Sequence, residues 1–309
     1  MRKTKICLLV VVLMLVTALR LSAGDKVYTE QSEVWVNNEE EFVGAIAPNT
    51  AIKLNSQWTG ILTFPGEYLG EISDFVNFTE GFDGAQIVIH DVHNLSITGD
   101  PDILSQILAQ PRYAYTLMFK NCEGITLANL NCGHTDEGYC TGGVLGFENC
   151  HGIKIDNCDL WGCGTEGITL WESSRLDCTN TTIRDCSYSI LSLYDSGFIS
   201  FSNCVMRNNR EFDLLNFVNC AKVEFKNCAI YDNSATSYWS TGSLINSRQS
   251  EVSFSECAIF NNRVSGLTDT ADEIVFEHCT IFGNKERGAV PDEEIDSEGE
   301  GEWNYEDEW

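Results

Sequence analysis

One short phrase recurs through the second half of the chain and limits what it can become. The pattern is apolar, any, apolar, any, Asn, Cys. It reads Ile153-Lys154-Ile155-Asp156-Asn157-Cys158, then Ile199-Ser200-Phe201-Ser202-Asn203-Cys204, then Val223-Glu224-Phe225-Lys226-Asn227-Cys228. Variants follow at Val252 to Cys257 and Ile274 to Cys279, with a degraded copy at Leu176 to Thr181 and an earlier one at Ile125 to Leu130. Counted from Leu130 to Cys279, the copies lie 28, 23, 23, 24, 29 and 22 residues apart. Alternation with period two marks strands with one buried face. A unit of this length built from such strands marks a solenoid.

Each unit holds three short strands. The first ends in a pair such as Asn121-Cys122, Asn149-Cys150 or Asn219-Cys220; the second is the phrase itself. The third is Leu160-Trp161, Ile183-Arg184, Met206-Arg207, Ile230-Tyr231, Ile259-Phe260 and Ile281-Phe282. Three strands per turn is the arithmetic of a parallel β-helix, whose coils stack about 4.8 Å apart and place equivalent residues in columns. The Asn column at 129, 157, 180, 203 and 227 is then expected to hydrogen-bond from coil to coil. A leucine-rich repeat would need a consensus that is absent. With Asn94-Leu95-Ser96-Ile97-Thr98-Gly99 as a first-coil phrase, the chain from about Val34 to Asn284 resembles the right-handed parallel β-helix proteins of the pectin-lyase-like superfamily. The subset it is most similar to is a group of secreted bacterial proteins without assigned activity. The expected class is all-β, a right-handed parallel β-helix with an N-terminal helical cap.

The segments divide as follows. Residues 1–23 read as a signal peptide: Arg2, Lys3 and Lys5 precede an apolar run from Ile6 to Leu19, and Leu21-Ser22-Ala23 offers a cleavage site. The alternative is an uncleaved anchor, for which the run is short. After cleavage no membrane span is expected, and the location is secreted, periplasmic or on the cell surface. Residues 24–84 form the cap region, where Asn38 and Glu41 resemble a capping box and Phe42, Ala45 and Ile46 share one helical face. Residues 85–286 are the β-helix, roughly eight coils and a rod near 40 Å long. Residues 287–309 form an acidic tail that reads as disordered, with Trp303, Tyr305 and Trp309 leaving a docking peptide as the minority reading.

The formal net charge of −27 argues against nucleic acid, whose phosphates need a basic face. Acidic polymers are repelled too unless a cation bridges, whereas a neutral glycan meets no such barrier; the expected partner is a polysaccharide or surface glycan, met by a monomer. Fourteen cysteines would ordinarily suggest a disulfide framework in an exported chain. Here Cys158, Cys204, Cys228, Cys257 and Cys279 fall in one inward column. Free, buried thiols are favoured over disulfides, and zinc is excluded because the thiols do not converge on a point. Cys140 lies off the ladder and is the candidate reactive thiol.

Departures from the repeat locate the expected site. Extra residues occur at Asp100–Thr116, Asp136–Gly143 and Ser234–Ser243, all read as one corner, after the third strand and before the first. Short turns between them should leave a recess with Glu166, Tyr188 and Arg210 as its floor. Outward residues beside it, Trp161, Arg184 and Arg207 on third strands and Trp171 and Tyr194 on first strands, are candidates to stack on sugars. The plainer reading is that they favour strands and pack on one another. His134, Asp136, Glu137 and Glu166 form a candidate acid/base set suited to glycoside hydrolysis. The competing reading of that loop is Asx turns and a backbone-bonded histidine. No cofactor is implied, although Asp136 and Glu137 would also suit Ca²⁺. The signatures of polygalacturonases, alginate epimerases and calcium-dependent pectate lyases are missing. Three readings stay open: a glycan-binding protein, a polysaccharide lyase or hydrolase, and a structural or adhesive surface protein.

Overall fold

The computed structural model describes residues 30–55, 58–62, 70–80, 84–111, 113–135, 142–162, 165–235 and 241–284. The expected signal peptide, the acidic tail, and Asp136, Glu137 and Cys140 lie outside the described residues. Three sheets of ten, ten and nine strands wrap into a coil. A complete turn runs through Glu166–Trp171 in the first sheet, Ser174–Thr179 in the second and Thr182–Arg184 in the third. The next turn begins at Ser189–Tyr194, in parallel register with the one before. Parallel pairing holds throughout except at the start of the first sheet, where Gly70–Ser73, Val76–Glu80 and Ala85–His90 pair antiparallel.

The recurring Asn is what turns the chain from the second sheet to the third. Asn129, Asn157, Asn180, Asn203 and Asn227 all have φ between 51° and 58°. Asn tolerates this left-handed conformation better than most residues. Their amides bridge coils as expected, with Asn157 Nδ2 donating to Asn129 Oδ1 at 2.9 Å and Asn227 Nδ2 to Asn203 Oδ1 at 2.8 Å. Asn180 accepts from Asn203 Nδ2 at 3.4 Å but sends its own amide to Asp156 Oδ1 rather than to Asn157.

The next residue turns inward, and its chemistry explains the cysteines. Cys228 Sγ lies 3.4 Å from the carbonyl of Lys226 and 3.4 Å from that of Phe201 in the coil before. Thr181 takes the same position in its coil and donates to Thr179 O at 2.8 Å. At the corner between first and second sheets, Ser173 donates to Trp171 O and Phe147 O where other coils carry Cys150 or Cys220. These sites need a small side chain that tolerates burial and caps strand-end carbonyls, and Cys, Ser and Thr all qualify. The eleven described cysteines are all free thiols, ten buried and Cys279 partly so.

The interior is built from stacked columns. Phe201, Phe225, Phe254 and Phe276 stack in successive coils at 5.0, 4.5 and 5.2 Å between centroids. A second Asn ladder, not anticipated from the sequence, is buried where the third sheet turns toward the first. Asn209 Nδ2 donates to Asn233 Oδ1, Asn233 to Asn262 and Asn262 to Asn284, each at 2.9–3.0 Å.

The N-terminal segment both caps and begins the coil. Thr50–Leu54 pairs with His93–Thr98 in the second sheet, and Thr59–Leu62 pairs with Ser105–Ala109 in the third. Helix α1, Glu39–Ala45, has Asn38 as N-cap, accepting from the Glu41 N–H. Glu41 reaches back to the Asn37 N–H, one residue before the partner of a standard capping box. Phe42 and Ile46 are buried, and Phe42 meets the buried Trp58 at 5.9 Å. Among the described residues no helix is long and apolar enough to cross a membrane.

Candidate functional site

The outward face of the first sheet is the floor of a groove. Strand alternation aims Thr169, Ser192, Asn216 and Asn246 outward as one column, since each is register partner of the next. Two residues along each strand, Trp171, Tyr194, Val218 and Arg248 form a second outward column. Trp171 and Tyr194 stack at 6.5 Å with 11° between their planes. Turns from the third sheet into the first make the wall. There Tyr188 and Phe212 stack at 4.4 Å with 12° between planes. Glu166 and Asp213 complete the lining of a groove of about 410 Å³.

Tyr115 closes one end. Its ring meets Trp171 edge-on at 6.2 Å, and its hydroxyl donates to Thr169 Oγ1 at 3.2 Å. It lies over Gly146, where a Cβ would come within 3.0 Å of the ring and 2.5 Å of Met118 Sδ. Glycine is therefore required at 146 for this ring to lie on the sheet. At the other end Asp213 is held by two donors, Thr241 Oγ1 at 2.6 Å and Asn246 Nδ2 at 3.2 Å. Ser189 Oγ donates to the Asp213 carbonyl at 2.7 Å and fixes that turn to the coil before it.

Burial raises the Glu166 carboxyl above the ordinary carboxylate range, opposed by hydrogen bonds to Thr165, Ser192 and Thr169. Burial and then the Glu166 charge push the Tyr115 phenol up. Tyr194 is raised as well, chiefly by burial. Burial thus disfavours ionisation of Glu166 and of the two phenols beside it.

The structure separates the residues picked out in the sequence. Glu166, Tyr188 and Tyr194 come together in the groove lining, with Trp171 stacked on Tyr194 beside it. His134 does not: it ends the strand Leu130–His134, is 0% exposed, and bonds through Nε2 to Ala114 O at 2.8 Å. The expectation of a surface acid/base histidine is corrected, because its ring is inside the coil and braces the segment that carries Tyr115. Arg210 is exposed and outside the lining, forming a lone bridge to Ser234. Trp161, Arg184 and Arg207 lie in register on the third sheet, a different face. Arg184 is bound twice to Asp159 at 2.8 and 2.9 Å, reaches Asp185, and lies 5.5 Å over the Trp161 ring. That group packs on itself, as the plainer reading held.

The single-corner reading of the insertions also needs amending. Ser105–Ala109 is a third-sheet strand paired with Leu130–His134, so Asp100–Leu104 belongs to the preceding corner and only Gln110–Thr116 to the expected one. The strand Ser-Gln-Ile-Leu-Ala lacks the Asn-Cys signature before it, which hid it. Sequence reasoning missed Tyr115, Phe212 and Asp213. The polar column was readable, because each member lies two residues before its neighbour in the Trp171 column.

A larger cleft, about 640 Å³, follows the corner between first and second sheets. Its carboxylates serve the frame: Asp272 accepts from Ser247, Gln249 and Ser250, and Asp195 from Asn219. Size alone does not make it the site. Among the described residues no cluster of His, Cys, Asp and Glu could hold a metal ion.

No curated protein matches the chain. Solved structures similar to it include a pectate lyase variant from Xanthomonas campestris, with 12% identity, TM-score 0.40, and 87% of this chain and 84% of that one covered. Another is PfbA, a surface adhesin of Streptococcus pneumoniae, at 11% identity and TM-score 0.32, with 88% and 87% covered. A third is a mannuronan C-5 epimerase A-module from Azotobacter vinelandii, at 14% and 0.33, with 87% and 93% covered. Matches over residues 109–216 and 142–293 show that the chain belongs to the family described as the right-handed beta helix region.

Proposed function

We propose that this is an exported β-helix protein that binds a glycan along the first-sheet groove. The observation that carries the reading is the row of rings, Tyr115, Trp171 and Tyr194, beside the half-buried amides of Asn216 and Asn246. Aromatic faces stack on the apolar faces of pyranose rings, while amides and hydroxyls match sugar hydroxyls. The net charge of −27 favours a neutral polymer over an acidic one. Export rests on the basic and then apolar start of the chain, Arg2 to Leu19.

The test is calorimetric titration with neutral and acidic polysaccharides. Replacing Trp171 and Tyr194 together with Ala should weaken binding by about 2 kcal/mol, roughly 1 per stacking contact. Unchanged affinity in that double variant would remove the groove as the binding site. The competing reading is a structural or adhesive rod, favoured by the internally satisfied column of Trp161 and Arg184. Absence of binding to any polysaccharide in the panel would select it.

A further inference from the structure

Building on the glycan reading of this groove, we infer that Glu166 and Asp213 are a proton donor and a proton acceptor that hydrolyse a neutral glycosidic bond with inversion. The geometry comes from the register. Glu166 is the partner of Ser189 in the next coil, and Ser189 is bonded to the Asp213 carbonyl one coil further. The Tyr188–Phe212 stack places those neighbouring residues level in the same way. Two coil rises therefore separate the two backbones, about 10 Å.

Both side chains turn onto one polar column. Glu166 is hydrogen-bonded with Thr169 and Ser192, and Asp213 with Asn246. The carboxyl separation stays near two rises. That is about twice the ~5 Å of a retaining pair and close to the upper end of the ~6.5–9.5 Å of an inverting pair, which must leave room for a water. Adjacent coils would have given the retaining spacing. Ser192 and Asn216 form the floor between the carboxyls, and the Tyr188–Phe212 stack forms the wall against which a ring would be held.

The two acids sit in unlike surroundings, which separates their roles. Burial raises the Glu166 carboxyl and so favours its proton-bearing form, which suits the donor role. Both oxygens of Asp213 already accept hydrogen bonds, so the group is set as an acceptor. In the step, Glu166 gives its proton to the bridging oxygen as the bond from that oxygen to the anomeric carbon breaks. A water on the opposite face bonds to the anomeric carbon and gives its proton to Asp213. One water is consumed and two hydroxyl ends are produced. Proton exchange with solvent restores both groups, and no oxidant or cofactor is needed.

The test uses the full chain with a xylan, a mannan and a β-glucan. Binding is measured by titration, new reducing ends by assay, and the configuration of the first product by proton NMR. Expected are release of reducing ends and an inverted product. Glu166→Gln and Asp213→Asn should each lower turnover at least 100-fold while affinity changes less than about threefold. Glu224→Gln, on the second sheet, is the control that should change neither. Binding without release in the parent chain overturns the pair and leaves the groove reading standing. A retained configuration, or either variant with undiminished turnover, overturns the pair as well. Failure to bind any of the three polymers removes both the groove reading and the pair.

Discussion

Two corners of each coil are built on opposite plans. Between the second and third sheets the turn is one left-handed residue, Asn in five of the coils, followed by an inward Cys, Thr or, after Asn129, Leu. From Asn129 onward its length is constant, so the columns of those coils stay in register, whereas the coil before them is longer there, at 99–104. Between the third and first sheets the turn ranges from four residues at 185–188 to eleven at 232–242. There the buried Asn209–Asn284 ladder keeps the coils aligned from inside. The loops outside it are released to vary, and Tyr115, Tyr188, Phe212 and Asp213 all come from that corner. Constancy at one corner and variation at the other let a single rod be both a frame and a groove.

The frame should be the more costly to disturb. Phe225→Ala, which empties the middle of a four-ring stack, should lower unfolding free energy by about 3–5 kcal/mol in urea titration. A loss near zero would mean that the columns are not what holds the coil. Asn233→Ala should follow at about 3 kcal/mol, because the Asn209 backbone N–H and side-chain amide both lose a buried acceptor. Asn203→Ala in the exposed ladder should reach only about 1 kcal/mol, from two solvent-exposed amide bonds, one of them long, and a left-handed backbone. If the two Asn substitutions proved equal, the distinction between buried and exposed ladders would not hold.

The difference between the corners also decides how much could be read in advance. The Asn-Cys phrase sits at the invariant turn, so the fold, the strand order, the exposed Asn column and the free thiols were legible from spacing. Trp171 and Tyr194 were legible too, being 23 residues apart on that spacing. Asp213 was not, although it follows Ser189 by 24 residues, because Glu166, Ser189 and Asp213 share no residue type that would mark the corner as a column. His134 was misplaced because polarity suggested a loop, whereas the bond to Ala114 O satisfies Nε2 inside the coil. Arg184 resembled a ligand contact until its two aspartates appeared beside it.

Groove substitutions should affect stability less than loss of a buried frame residue such as Phe225 or Asn233. Gly146→Val should displace the Tyr115 ring, because the new Cβ would meet Met118 Sδ and the ring together. The expected stability loss is about 1–2 kcal/mol, with a change in Trp171 fluorescence and weaker glycan binding. Fluorescence matching the parent chain would show that Tyr115 does not depend on that glycine. The smallest effect concerns pH. Because the folded Glu166 carboxyl is raised, its favourable contribution is complete below the ordinary glutamate range and fades as pH climbs through the raised value. Glu166→Gln should therefore gain in melting temperature relative to the parent chain between acid and neutral pH. A difference independent of pH would contradict a buried acid at that position.

The constant corner bears on how such a chain can lengthen. Each coil touches only the coil above and the coil below, and each repeats the same left-handed turn. A duplication or deletion of one whole unit, such as 199–222, would leave all other neighbours matched, whereas a change of a few residues within a strand would not. The groove would then grow or shrink by whole coil rises of about 4.8 Å. The length of polymer that such a protein accommodates would change in discrete steps, one coil at a time.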